Sequence, residues 1–146
     1  MRNNKKIGAI DLSKEVGTMI FRLGQDVNEV VYESMKSVAA MAVEELKAVS
    51  RFSPNGNPTG EYSADWDQTT KTTSRLARKI VVYNEDHYRL THLLEKGHAL
   101  RRGGRTYGSV KAYPHIKPVE ERVQDEFRKD IANRLADIKS GAVWNY

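Results

Sequence analysis

The chain has 146 residues, no cysteine and a formal net charge of +5, with 39% hydrophobic residues. This length favours one domain with a buried core, and the lack of cysteine excludes disulfides, thiolate metal sites and cysteine nucleophiles. Neither a membrane span nor a secretory signal is predicted, because there is no run of about 18 apolar residues and no apolar segment follows the basic N-terminus. The low apolar share favours a protein that buries further surface in an assembly.

The positive charge lies in the middle of the chain. Residues 1–50 and 112–146 are balanced, whereas residues 51–111 hold eleven basic and six acidic side chains. Such an excess attracts phosphates or acidic protein surfaces, and a plain solvated face is the alternative. The basic residues form two groups, the first at Lys71, Arg75, Arg78 and Lys79, the second at Lys96, Arg101, Arg102, Arg105 and Lys111.

A long helix is predicted from Asp11 to Val49, because apolar residues recur at steps of three and four and form one stripe. Gly17 and Gly24 each lower helix stability by about 1 kcal/mol relative to alanine. We therefore expect a break near Gly24 and an unbroken helix from about Gln25. The ten residues that open the chain are expected to form a tail or a brief edge strand.

Two strands are predicted after a loop. Residues 50–62 are rich in proline, glycine and asparagine, which favour turns. Threonines and aromatic residues over 62–73 favour a strand with Tyr62 and Trp66 on one face, and Trp66 is expected to be buried beneath a helix. The apolar run at 76–83 favours a second strand. A polar connection between the two predicts an antiparallel hairpin.

A short helix is predicted over residues 87–96. It ends at Gly97, which suits the position just beyond a helix. Residues 103–113 contain three glycines, which favour a flexible loop or a short strand. With the arginines in and before it, this stretch is predicted to form a basic, glycine-rich loop.

The last helix is predicted to begin at Pro118, which suits the first helical position. Glu120 and Glu121 would then lie in the first turn, where the helix dipole favours acidic side chains. Gly141 is expected to end the helical region. One apolar stripe is expected along this helix at Val119, Val123, Phe127, Ile131, Leu135 and Ile138.

These elements predict an α+β fold. A small antiparallel sheet packs against a long N-terminal helix and a long C-terminal helix, with the short helix and the basic loop between them. Residues 25–140 are expected to form a single domain, with residues 1–24 as a partly helical extension and residues 141–146 as a tail.

The histidines do not predict a metal site. His87, His92 and His98 are separated by five and six residues, whereas two zinc ligands on one helix face need a spacing of four. The glycines after Gly97 do not form a phosphate loop, because no Gly-Lys-Ser/Thr sequence follows them. We therefore predict no catalytic residue, no metal site and no cofactor.

Nucleic-acid binding is the alternative function that the composition supports. Basic and aromatic side chains alternate at Arg105, Tyr107, Lys111 and Tyr113, which suits phosphate contacts and base stacking. The chain lacks the sequence signatures of helix-turn-helix, RNA-recognition and zinc-finger modules, so sequence-specific recognition is not expected.

Four motifs give a family resemblance. They are Thr59-Gly-Glu-Tyr-Ser-Ala-Asp-Trp66, Tyr88-Arg-Leu-Thr-His-Leu-Leu-Glu-Lys-Gly-His98, Arg102-Gly-Gly-Arg105, and Pro114-His-Ile-Lys-Pro-Val-Glu-Glu121. In this order they resemble the neck and tail-completion proteins of long-tailed double-stranded DNA bacteriophages. The resemblance covers roughly residues 25–140 and leaves the N-terminal extension unmatched.

The resemblance implies a structural virion protein that is not an enzyme. Such proteins resemble small α+β domains that form rings, often hexamers, at the tail-proximal part of the neck. The expected partners are further copies of the chain and other neck and tail proteins, with non-specific contact to the DNA path left open and no contact with a membrane. The expected location is the host cytoplasm during assembly and then the virion.

The candidate site residues fall into two sets. His92, Glu95 and Gly97 are expected to brace the corner at the end of the short helix. The candidates for a subunit interface or for the DNA path are Lys96, His98, Arg101, Arg102, Arg105, Tyr107 and Lys111.

Overall fold

Two long helices frame the fold in this computed structural model, which describes residues 9–49, 60–74 and 77–139. The architecture is α+β, as the sequence predicts, with two small antiparallel sheets and a short helix between the long ones. In chain order the elements are α1 (Ala9–Val49), α2 (Glu61–Ala64), β1 (Trp66–Ser74), β2 (Ala77–Asn84), α3 (Tyr88–Lys96), β3 (His98–Arg102), β4 (Arg105–Val110) and α4 (Ile116–Lys139).

α1 and α4 run antiparallel. Arg122 of α4 pairs with Glu45 at 2.8 Å, and two turns further along α4 Asp130 approaches the buried Ser34. The predicted stripe of α4 faces inward from Val119 to Ile138 and is confirmed. Below the C-terminal half of α1 the two helices close over a core formed by Ala42, Val43, Leu46, Tyr62, Trp66 and Val119.

The predicted hairpin of β1 and β2 is confirmed, with Trp66 opposite Asn84 at its base. Trp66 is buried, as expected for a tryptophan packed beneath a helix. β3 and β4 form a second hairpin, in which His98 pairs with Val110 and Arg102 with Arg105.

Of the two alternatives predicted at residues 103–113, a flexible loop or a short strand, the structure shows the short strand, β4, which pairs with β3 where the rest of the predicted basic loop would lie. Gly103 and Gly104 have φ values of 56° and 78° and form the two-residue turn of this second hairpin. Positive φ at both central positions matches the right-handed twist of the flanking strands, so two adjacent glycines favour a hairpin here. Residues 111–115 then connect β4 to α4 without regular structure.

The break predicted near Gly24 is also wrong, because α1 is continuous from Ala9 to Val49. The penalty at a helical glycine is about 1 kcal/mol, and extending an existing helix avoids the cost of nucleating a new one. Every described side chain from Val16 to Gly24 is exposed, and partial burial begins at Gln25. Gly24 thus marks the position where α1 stops packing against the rest of the described fold, although the helix itself extends back to Ala9.

The predicted strand over 62–73 is wrong for its first residues. Residues 61–64 form the short helix α2, which follows Gly60 with a φ of 79°. The Ser63 hydroxyl donates to the Gly60 carbonyl at 2.8 Å and holds this turn. Tyr62 and Trp66 are four residues apart, so a helical turn brings them together as well as a strand would, and their rings meet edge to face at 5.9 Å.

α4 begins at Ile116, two residues before the predicted start at Pro118. Pro118 is compatible with the first turn, because the amides there have no partner within the helix. Glu120 and Glu121 consequently lie beyond the first turn rather than in it, and a different acidic side chain caps the helix. The predictions for residues 1–8, for the loop up to residue 59, for the connection at 75–76 and for Gly141 with the tail lie outside the described residues.

Candidate functional site

Glu95, near the end of α3, caps the N-terminus of α4. Its Oε2 accepts from the His115 N–H at 2.8 Å and from the Ile116 N–H at 2.9 Å, while Oε1 accepts from the Lys117 N–H at 2.9 Å. The first amides of a helix have no partner within it, and the helix dipole favours a negative charge beside them. A carboxylate from twenty residues earlier therefore provides the hydrogen-bond acceptors that a capping side chain at the start of the helix normally provides.

The electrostatics keep this carboxylate charged. Partial burial acts to raise the pKa of Glu95, but the three backbone donors and the neighbouring His115 outweigh burial and leave that pKa below its ordinary value. Glu95 is thus an anion that three N–H groups hold in place, and its oxygens are already committed within the fold.

His115 links Glu95 to Tyr62 in the core. Its ring is 2% exposed, and Nδ1 lies 2.8 Å from the Tyr113 carbonyl and 3.2 Å from Glu95 Oε2. Because both neighbours are acceptors, the hydrogen-bond network assigns the proton to Nδ1. Nε2 then accepts from the Tyr62 hydroxyl at 2.8 Å. Burial, together with the charge of Glu95, raises the pKa of Tyr62, so its hydroxyl keeps the proton that it donates.

This chain of carboxylate, imidazole and hydroxyl has the connectivity of a catalytic triad, but its properties are unsuited to that chemistry. A nucleophile must be reachable by substrate and activated by a lowered pKa or an adjacent base. The Tyr62 side chain is buried and the pKa of its hydroxyl moves upward. The arrangement can position α2, α3 and α4 relative to one another, which is a structural role.

Asn84 completes the corner from the β-sheet side. Its buried amide donates from Nδ2 to the Tyr62 carbonyl and accepts the His87 N–H at Oδ1, at 2.8 and 2.9 Å. The ring of His87 pairs with Asp65 through Nδ1 and Oδ2. We use "the corner" for Tyr62, Asn84, Glu95, Gly97 and His115, which join the base of the first hairpin to both ends of the α3–α4 connection.

Gly97 fits the corner only because it has no side chain. Its φ is 71°, and a Cβ atom at this position would lie 2.6 Å from the Val110 carbonyl oxygen and 2.8 Å from the Ala112 nitrogen. The chain after β4 returns beside the end of α3, where the Tyr113 N–H donates to the Leu94 carbonyl at 2.7 Å. This close approach fixes the base of the second hairpin against α3.

The second hairpin carries most of the predicted interface residues on an exposed ribbon. We call residues 96–111 the basic hairpin. Tyr107 is 71% exposed, and His98 is half-buried with no hydrogen-bond partner for Nδ1 within the described part of the chain. Five basic side chains of the hairpin are exposed and form no ion pair with any described residue: Lys96, Arg101, Arg102, Arg105 and Lys111.

Of the three residues predicted to brace the end of the short helix, the structure places two in the corner and one on the surface. Glu95 and Gly97 lie in the corner, whereas His92 is exposed on α3. Within residues 9–49, 60–74 and 77–139 no group of three or more histidine, aspartate or glutamate side chains is arranged to hold a metal ion.

The sequence does not place Tyr62, Asn84 and His115 together in one site. The available signal for Asn84 was its position as the polar residue that ends the apolar run of β2. Tyr62 and His115 each belong to one of the four motifs, but they are 53 positions apart, and no local sequence pattern predicts a contact between them.

The comparisons with known proteins found no relative: no family model matches the chain, and neither a curated protein nor a solved structure matches it. Among the described residues, no helix combines the length and apolarity needed to cross a membrane.

Proposed function

We propose that the chain is a structural virion protein of a tailed bacteriophage. Copies of it form a ring, expected to be a hexamer, that completes the tail and joins it to the head. The family resemblance of the four motifs provides the virion assignment. The observation that carries the proposal is the convergence of three of these motifs in the corner, with their polar groups engaged in bonds within the fold.

The bonds of the corner support a structural role. Both carboxylate oxygens of Glu95 accept hydrogen bonds from backbone amides, and both ring nitrogens of His115 form hydrogen bonds within the fold. A site that binds and releases a small substrate needs polar groups that are free to exchange partners. The motif residues instead fix the position of the basic hairpin relative to the two long helices.

The basic hairpin supports assembly with other molecules. It extends beyond the packed core, and its arginines have no acidic partner in the described part of the chain. Exposed arginine and tyrosine side chains are typical anchors of protein interfaces. In the proposed ring, the arginines face a neighbouring subunit, another neck or tail protein, or the DNA path.

The first test is assembly of the purified protein. Light scattering and negative-stain electron microscopy should detect rings at high protein concentration. The triple variant Arg101→Glu, Arg102→Glu and Arg105→Glu should lose the rings while its far-UV circular dichroism stays unchanged. The matched control is Lys71→Glu with Lys79→Glu. These two lysines are exposed and lie opposite each other on the strands of the first hairpin, so reversing their charges should leave assembly intact.

Two results would contradict the proposal. One is a wild-type protein that remains monomeric at every concentration and does not join purified phage tails. The other is a triple variant that assembles as well as the wild type, because the basic hairpin would then have no part in the ring.

Non-specific nucleic-acid binding is a second candidate, favoured by the exposed Tyr107 and by the arginines of the basic hairpin, which have no acidic partner among the described residues. A two-stranded ribbon of this size can enter the major groove of DNA, and its cations can displace counterions from phosphates. Fluorescence anisotropy with a short DNA duplex should then show an affinity that falls steeply with salt. Replacing three arginines should lower the slope of log K against log salt concentration by roughly 3. The absence of binding at low salt would eliminate this candidate.

A further inference from the structure

The N-terminal part of α1 presents an apolar face that nothing in the described chain covers. Val16, Met19, Ile20 and Leu23 follow steps of three, one and three, which place them on one side of the helix. Met19 and Ile20 are 65% and 66% exposed. Scattered exposed apolar residues are ordinary, but a contiguous exposed face on a helix marks an interaction site.

This face lies beyond the end of the packed helix pair. The antiparallel register set by the Arg122–Glu45 and Asp130–Ser34 contacts puts the last described residue of α4 opposite about residues 25–28 of α1. The burial pattern agrees, because side chains of α1 become partly buried from Gln25 onward. The segment 14–24 therefore projects past α4 by about three helical turns.

An apolar groove lies at the other end of the same molecule. It has a volume of 420 Å³, opens to solvent, and is bounded by β2, α3 and α4 over the C-terminal part of α1. Its walls include Val82, Ile116 and Val123, and Leu46 and Trp66 form its floor. Such a groove is the kind of surface that accepts the apolar side of an amphipathic helix.

The exposed face cannot fill the groove of its own chain. Ile20 and Leu46 are both on α1, and a helix rises about 1.5 Å per residue, so they are about 40 Å apart. We infer that residues 14–24 of one copy dock into the groove between β2, α3 and α4 of the next copy. This inference rests on the proposed ring and deepens it by naming the contact between subunits.

Charge and symmetry agree with a second copy as the occupant. Arg22 lies beside Met19 on the edge of the apolar face, and the only charged residue that lines the groove in the described part of the chain is Glu120. The two surfaces are different, so the contact is head to tail. Contacts of that kind close into rings when the rotation between copies permits it.

Cross-linking tests the inference directly, because the chain contains no natural cysteine. Ile20→Cys is introduced in one sample and Thr91→Cys, at the rim of the groove, in another. After mixing and mild oxidation, the inference predicts disulfide-linked dimers in the mixture and none in either variant alone. Thr18→Cys lies on the opposite side of α1 and is the matched control, expected not to link to Thr91→Cys.

A charge exchange supplies an independent readout. Arg22→Glu alone and Glu120→Arg alone should each lower the yield of Ile20–Thr91 cross-links. The two substitutions together in every copy should restore it, because each contact then again contains opposite charges. A simple loss of folding would not be restored by the second substitution.

The outcomes separate this inference from the proposed function. If light scattering shows rings but Ile20→Cys links only to itself, or to neither partner, the docking inference is overturned and the ring stands. If the wild-type protein never assembles, the proposed function fails. Cross-links between Ile20→Cys and Thr91→Cys in the mixture alone, lost on either charge reversal and regained with both, support the inference.

Discussion

Glu95 ties the end of α3 to the start of α4 through three hydrogen bonds to backbone amides. We expect Glu95→Gln to lower the free energy of unfolding at neutral pH by about 1–2 kcal/mol. The neutral amide removes the negative charge at the helix N-terminus, and its own N–H group points at backbone N–H groups, which are also donors. Urea unfolding should measure this loss. Glu121→Gln is the matched control, because Glu121 is exposed and only reaches Lys117 at 4.0 Å.

The effect of Glu95 should depend on pH. Because the pKa of Glu95 in the folded protein lies below its ordinary value of 4.5, the ionised carboxylate stabilises the fold fully above that value. The stabilisation is lost as pH falls through the lowered pKa. The difference in unfolding free energy between the wild type and Glu95→Gln should therefore shrink on acidification. A difference that grew at low pH would contradict the assignment.

Gly97 is expected to tolerate no side chain. Gly97→Ala should destabilise the protein by at least about 1–3 kcal/mol, because the new Cβ combines a positive φ with overlap on backbone atoms. Gly103→Ala is the control, since Gly103 also has a positive φ but an added Cβ there would have open space around it. Chemical denaturation of both variants separates the cost of the backbone conformation from that of the close approach. Equal losses would show that the approach to Val110 is unimportant.

Among the elements, α1 offers a test of its own continuity. Gly17 and Gly24 lie within a regular helix and have open space where a Cβ would be added. Each change to alanine should stabilise the protein by about 1 kcal/mol, measured by thermal unfolding and by helical circular dichroism. Ala40→Gly, at an exposed position of the same helix, should produce a loss of similar size. Destabilisation by Gly24→Ala would indicate that the helix bends there.

The elements differ in how far the sequence predicts them, for physical reasons. α4 and most of α1 follow from apolar periodicity, because each helix buries one stripe along its length. The sequence predicts the second hairpin only as a loop or a short strand, because β4 is exposed on both faces and β3 buries only part of His98, which leaves no apolar alternation to read. α2 was predicted as a strand because Tyr62 and Trp66 lie on one side in either structure.

The corner could be predicted only in part. The sequence predicts Gly97 and Glu95 at this corner, because the end of α3 leaves a local signal. The sequence predicts the start of α4 two residues late, because the cap comes from Glu95, and contacts across twenty residues leave no trace in local spacing. The inward turn of His115 toward Tyr62 depends on the same tertiary arrangement.

For the whole molecule, the expected assembly makes stability depend on protein concentration. A partner that binds only the folded state raises the unfolding free energy, by about 2.7 kcal/mol when its concentration is 100 times Kd. The melting temperature of the wild type should therefore rise with concentration. Met19→Gln with Ile20→Gln removes exposed apolar side chains and should melt at one temperature throughout. A wild-type melting temperature independent of concentration would argue against assembly in this range.

The cap at Glu95 also determines how mechanical load passes through the molecule. A force applied at the Gly103–Gly104 turn travels down two paired strands and reaches the rest of the chain at Gly97 and at residues 111–115. Glu95 connects these two points through its bonds to the first amides of α4. Tension on the basic hairpin is therefore shared between residues 111–115 and the bonds of Glu95, so these bonds must break before the hairpin can separate from the start of α4.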